Sequence, residues 1–289
     1  MIPFRSRPVI DPMGRQGLAR ALGEATFELL PLKSAFAQSA FIPAGTWVSV
    51  TASPSKGLDA TIELALSLEA RGYRAIPHLS ARMIASRAVL AGLLERSRDA
   101  GLTHAFVVGG DADEQGEYLD GLSLLQAMTE LGHPFTILGC PAYPQGHPDI
   151  PDAALAAALR EKAPYVAHVT TQMDFDTGAI ARWVRARRAE GFEPEIVIGV
   201  PGVADPQKLL SIAARIGVKD AKRFLMKNLR FVTGLAKSGG FYKPTGFVEE
   251  LVPLLADPEA RVTGFHLYTF NAVEATEAWR RSMLEKLGA

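Results

Sequence analysis

EIVIGV (195–200) carries one charged residue at its start and then five residues with no polar side chain. A strand with one wet face would alternate polar and apolar residues. This one is apolar on both faces, as expected for a parallel strand covered on each side. Working outward, helix-length stretches flank it at 176–190 and 205–215, and the same unit recurs along the chain. TFELL (26–30), WVSVT (47–51), YRAIPHL (73–79), HAFVVGG (104–110) and FTILGC (135–140) precede it as strands. YVAHVTTQ (165–172) and VTGFHLYTF (262–270) complete a set of eight. Helical periodicity fills 57–71, 82–100, 117–131 and 152–162, and a last helix is expected over 273–287. Strands alternating with helices imply a parallel sheet with crossover helices. A count of eight favours a closed (β/α)8 TIM barrel, an α/β fold, over an open sheet. Helical stretches near 219–236 and 245–256 form an extra insertion before the last strand. No low-complexity tract or linker divides the chain, so residues 1–289 are read as a single domain.

Composition narrows the function classes. Lys and Arg total 31 against 31 Asp and Glu, which argues against nucleic-acid binding through a basic surface. Hydrophobic residues make up 48% of the 289, ample for a core. The lone Cys140 forms no internal disulfide and suits a reducing, cytoplasmic setting. No apolar run approaches the roughly 18 residues that span a bilayer. The N-terminal stretch holds Arg5, Arg7, Arg15 and Arg20 but lacks the apolar core of a secretory signal. Asp11 and Pro12 are read as interrupting any amphipathic helix there.

In such a barrel, chemistry belongs where strands end and βα loops begin. The polar residues at these ends include Glu28, Thr51, His78, Asp111, Tyr143, His147, Gln172, Asp174, Tyr268 and Asn271. Glu28 lies inside an apolar strand, where a charge must be paired or functional. It is a proton donor or a salt-bridged structural carboxylate. GGDAD (109–113) lets backbone approach a ligand at Gly110 and offers Asp111, or it is a plain acidic loop. DADEQG opens like a calcium loop, but Leu122 stands at the twelfth position, where that loop needs Glu. The six histidines form no compact zinc-ligand set. Gln172 offers an amide to a heterocycle or caps the following helix.

Taken in order, these motifs resemble the methylenetetrahydrofolate reductase family. TFELLP is similar to its opening F-E-x-x-P strand, VSVT to its second strand, and PHLSAR to P-H-L-T. GGD at 109–111 resembles R-G-D, AYPQGHP resembles A-x-Y-P-x-x-H-P, and TTQMDFD resembles T-Q-x-x-F-D. VPGV and GFHLYTFN match the P-G-I turn and the closing G-x-H-x-Y-T-x-N. The resemblance implies reduction of 5,10-methylenetetrahydrofolate to 5-methyltetrahydrofolate, or the reverse, with NAD(P)H as hydride source. It places Glu28 as general acid, Asp111 as the carboxylate that stabilises the cation, and Gln172, Asp111 and Tyr268 at the folate. Thr51, His78, Gly110, Tyr118, Tyr143, His147 and Lys162 match positions that line the flavin, FAD being the family norm.

The departures bear on that flavin. Gly109 stands where the family has the arginine of R-G-D, and the helix DAALAAALREK (152–162) offers Ala156, Ala158 and Glu161 where polar or basic groups are expected. A pyrophosphate there loses charge-assisted hydrogen bonds. These departures favour a flavin-independent variant, with a FAD-bound enzyme as the close alternative. Asn271-Ala272 closes the last motif where an arginine is common, which weakens contact with the folate tail. A pterin-binding methyltransferase barrel and a non-catalytic folate-binding protein are the other readings. The retained Glu28 speaks against the first, since methyl transfer needs no ring-opening acid.

Overall fold

The computed structural model describes residues 11–110, 116–205, 207, 209 and 240–289. Eight parallel strands close into a barrel in sequence order. They are β1 (Thr26–Leu29), β2 (Trp47–Val50), β3 (Arg74–Ser80), β4 (His104–Val108), β5 (Ile137–Ala142), β6 (His168–Thr171), β7 (Glu195–Pro201) and β8 (Val262–Tyr268). β8 returns to β1 through Thr26–His266 and Phe27–Leu267. The helices described are α1 (Pro12–Gly23), α2 (Ala35–Ser39), α3 (Gly57–Glu69), α4 (Arg87–Asp99), α5 (Gly121–Leu131), α6 (Asp152–Lys162) and α7 (Thr177–Ala189). α8 (Thr245–Glu250) and α9 (Val252–Leu255) precede β8, and α10 (Val273–Leu287) comes after it.

Strand periodicity sorts the side chains into two environments. Phe27, Leu29, Val48, Val50, Leu138, Cys140, Ile196, Ile198 and Val200 face outward and build the main core beneath the helices. Their neighbours along the strands face the barrel interior. Branched apolar residues ordinarily fill that space. Here it holds Glu28, Ser49, His78, His104, His168, Thr170 and His266 alongside Ile76 and Phe106. His78 donates to or accepts from Ser49 (Nε2 to Oγ, 2.7 Å), and His104 and His168 meet through their Nε2 atoms at 2.8 Å. Gly139 makes room for this packing, because a Cβ there would stand 2.4 Å from His168 Cε1 and 2.8 Å from Phe106 Cδ2.

Several segments differ from the sequence reading; the expected helix over 82–100, for one, begins only at Arg87 after a 3-10 turn at Ala81–Met83. Asp11 and Pro12 start a helix rather than interrupt one. The Asp11 carboxylate accepts from Gly14 N–H (2.7 Å), and a first-turn proline gives up only an N–H that has no helical partner. The buried face of α1, with Leu18, Ala21 and Leu22, contacts α9, α10 and β8. Residues 163–165 form a 3-10 turn, so the sixth strand begins only at His168. The stretch 245–256 divides into α8 and α9, with Pro253 in the first turn of the second. The expected helix over 219–236 lies outside the described residues, as does most of 205–215. No described helix is long and apolar enough to cross a membrane.

Candidate active site

The C-terminal end of the barrel collects most of the expected residues. Glu28 is 7% exposed, and its Oε2 faces His266 Nε2 at 3.3 Å. Its backbone is held just as closely. Thr269 Oγ1 donates to the Glu28 carbonyl (2.5 Å), and Asn271 brackets Leu30 by accepting from its N–H (2.9 Å) and donating Nδ2 to its carbonyl (3.1 Å). Phe270 and Asn271 both have positive φ, 51° and 56°, a conformation disfavoured for side-chain-bearing residues. The turn after β8 thereby pins the end of β1. Asn271 is a brace for the Glu28 strand, which its place in the closing motif did not reveal.

Gln172 comes directly after β6 with Oε1 accepting from Met173 N–H (2.8 Å), and its amide N–H groups have no hydrogen-bond partner among the described residues. The Tyr268 hydroxyl donates to the Thr171 carbonyl (3.0 Å), and burial together with the Glu28 and Tyr143 charges raises its pKa well above the usual phenol value. Thr51 directly follows β2, with its N–H donating to the Leu29 carbonyl (3.0 Å). Gly110 has φ +92°, and a Cβ there would fall 2.1 Å from Ser80 Oγ. Asp111 lies outside the described residues.

The residues matched to the flavin separate into two groups. Tyr143 and Lys162 border one pocket of about 300 Å3 between the β5 loop, α6 and α7, with Ala156, Ala158 and Arg187. His147 stands beside it, its ring edge-on to Tyr143 at 5.3 Å and its Nδ1 accepting from Asp149 N–H. His78 instead turns into the barrel toward Ser49, and burial, with His266 adding to it, lowers its pKa to about 3. Tyr118 is buried, and its hydroxyl has no hydrogen-bond partner among the described residues. Arg187 is a cation that the motifs did not point to. It is ion-paired to Glu190 (2.7 Å) and reaches the pocket from α7.

Asp174 also went unassigned beyond its place at a strand end. It is 3% exposed, and its Oδ1 accepts from Gln145 Nε2 (2.5 Å), Phe175 N–H (2.6 Å) and Asp176 N–H (2.9 Å). It therefore ties the β5 loop to the end of β6. Its sequence signal is a carboxylate between Met173 and Phe175, two buried apolar residues. Burial raises its pKa to about 6, against the pull of the two backbone N–H groups. A folded-state pKa above the unfolded one means that the native state holds the proton longer. The associated stability is full below about pH 4 and is lost as pH rises through about 6. Asp174→Asn keeps the Oδ1 acceptor. It is expected to flatten the fall in Tm between pH 4 and 7, and an unaltered pH dependence would show that another group sets it.

Above the barrel end, Met173, Phe175, Ala204, Leu209 and Tyr242 form a small apolar cluster against which Tyr268 and Phe270 pack. Tyr242 is anchored there by an antiparallel bridge to Ala204, whereas Phe241 is 50% exposed. Of the loop AKSGGFYKPTG (236–246), residues 236–239 lie outside the described residues.

Solved structures share this architecture. The Bacillus cereus spore cortex-lytic enzyme SleL matches over 98% of this chain and 86% of its own at 10% identity, with a TM-score of 0.51. A GH18 chitinase from Cycas revoluta, in complex with (GlcNAc)3, matches over 92% of this chain and 100% of its own at 9% identity, with a TM-score of 0.52. At such identities the likeness is one of fold. The sequence itself is more specific: residues 35–283 match the family model described as methylenetetrahydrofolate reductase, and with its motifs set at the C-terminal end of a closed barrel the chain belongs to that family.

Proposed function

We propose that this protein interconverts 5,10-methylenetetrahydrofolate and 5-methyltetrahydrofolate with NAD(P)H as the hydride source, and that Glu28 is its general acid. The observation that carries this reading is a carboxyl group 7% exposed inside the barrel with an imidazole as its hydrogen-bond partner. Family membership supplies the substrate class. Opening the five-membered ring of the folate needs a proton on the departing amine nitrogen, and Glu28 delivers it. The exocyclic carbon is then an iminium that accepts hydride. Gln172 holds the pterin ring through its free amide N–H groups, so that the carbon meets the hydride donor at contact distance. Asp111 balances the cation.

FAD is the family norm, so its fit matters. His78 is engaged with Ser49, the Tyr118 hydroxyl is enclosed, and α6 presents the methyl groups of Ala156 and Ala158 to the pocket. These residues do not make a complete flavin cradle, and we propose that hydride passes directly from the nicotinamide to the folate. Lys162 and Arg187 on the 300 Å3 pocket favour a second reading, because two cations suit the phosphates of either dinucleotide. Isotope transfer separates the two. With NADH or NADPH deuterated at C4, direct transfer places the label in the methyl group of the product undiluted. Passage through a flavin exchanges it with solvent, so label dilution in water, together with a requirement for added FAD, would replace direct transfer by the flavin route.

A further inference from the structure

The reaction consumes one proton at Glu28 in each turnover, and the barrel is open at the end opposite the substrate. A cavity of about 730 Å3 enters at the N-terminal mouth and extends inward to Ser49, His104, His168, Thr170 and His266. Its rim is charged, with Glu24, Arg74 and Glu195. The Arg74 guanidinium stands 5.2 Å over the Trp47 ring, and the Glu195 carboxylate accepts from the Thr263 hydroxyl. His266 thus borders the cavity and also contacts Glu28 Oε2 through Nε2. Nε2 is committed to Glu28, which leaves Nδ1 as the nitrogen available to a water in the cavity.

We propose that this cavity is a proton inlet, through which water entering at the N-terminal mouth recharges Glu28 by way of His266 while folate occupies the C-terminal end. The inference rests on the reading of Glu28 as general acid. Once Glu28 has given its proton to the folate amine it is a carboxylate. His266 Nδ1 then takes a proton from a hydronium ion in the cavity, and the Nε2 proton passes to Glu28 Oε2. The imidazole ends neutral with its proton on Nδ1; the ring then swings to turn Nε2 toward the cavity, where water protonates Nε2 as Nδ1 gives up its proton, and the return swing restores the starting tautomer. The net change is one proton taken from solvent.

The surrounding groups favour this role for His266 over its neighbours. It is faced by Glu28 on β1, His78 on β3, His168 on β6 and Tyr268 on its own strand. Burial, reinforced by neighbouring imidazoles, lowers His78 to about 3, His104 to about 2 and His168 to about 4, so these rings stay neutral. His266 is the interior imidazole whose hydrogen-bond partner is a carboxylate.

Gly264 allows a mechanical test. It lines the cavity, and a Cβ built there meets nothing within 4 Å, so the side chain of Gly264→Leu has open space to enter and narrows the inlet. The first turnover needs no recharging of Glu28, so it is expected at the normal rate in Gly264→Leu. Later turnovers should slow on the order of 10-fold or more, as for loss of a proton-transfer path. His266→Ala is expected to slow steady-state turnover and to recover with added imidazole, which enters the vacated space. Gly264→Leu with normal steady-state turnover, equal slowing of first and later turnovers, or a His266→Ala loss that ignores imidazole would each overturn the inlet. Full activity of Glu28→Gln would instead remove the general-acid reading on which the inlet depends, so the two failures are distinct.

Discussion

Glu28→Gln is expected to lower kcat on the order of 10²- to 10⁴-fold while leaving the affinity for reduced folate nearly unchanged. The amide is close in size to the carboxyl group and can still accept from His266 Nε2, now 3.3 Å from Oε2. The Thr269 bond to the residue 28 carbonyl does not involve the side chain at all. What is lost is the acidic proton, and with it the means to expel the folate amine. Rapid-mixing kinetics at saturating NAD(P)H and calorimetric folate binding measure the two quantities separately. Loss of binding along with rate would make Glu28 a ligand-holding group, and undiminished turnover would assign the proton to another residue. A non-catalytic folate-binding protein would show binding in both forms and turnover in neither.

The second large effect is structural. Gly199→Ala puts a Cβ 2.3 Å from the Thr171 carbonyl oxygen and 2.5 Å from Tyr268 Cε2. The Thr171 oxygen is backbone and already accepts from the Tyr268 hydroxyl, while Gly199 N–H donates to Thr171 Oγ1 (2.9 Å). Neither neighbour has a flexible end to move, so β6, β7 and β8 must part. The expected loss is about 3 kcal/mol, or a fall in Tm on the order of 5–10 °C. Gly264→Ala on the neighbouring strand has open space and should leave Tm within about 2 °C. Equal melting of the two variants would contradict this packing account.

The alternation of short apolar runs with helical stretches was enough to derive a barrel, because each strand must bury its outward residues under a helix. EIVIGV shows the principle: Ile196, Ile198 and Val200 join the helix-covered core, and Val197 and Gly199 face inward. The burial of position 28 was also readable from its place between Phe27 and Leu29, but the same pattern fits a proton donor and a paired structural carboxylate alike. Other features depend on long-range geometry. Asn271 meets Leu30 across 241 residues, and Asp174 meets Gln145 across 29, so no local pattern announces either brace. Arg187 lies on a helix whose periodicity marks it as a surface cation, yet it reaches the pocket of Lys162. The N-terminal helix was missed for a local reason, because Asp11-Pro12 is a break inside a helix but a favourable start at its first turn. The histidines illustrate a further limit. Four of the six meet inside one barrel only after strands β3, β4, β6 and β8 have closed around them.

The proposed reaction is folate reduction with hydride drawn directly from a nicotinamide. It is tested most directly by tracking NADH and NADPH oxidation that depends on 5,10-methylenetetrahydrofolate, with protein shown by its visible spectrum to be free of flavin. Oxidation of at least one nicotinamide, with matching formation of 5-methyltetrahydrofolate, is expected before any FAD is added. Oxidation that begins only once FAD is supplied would contradict direct transfer, and no oxidation of either nicotinamide, with or without FAD and in either direction, would contradict the reductase itself.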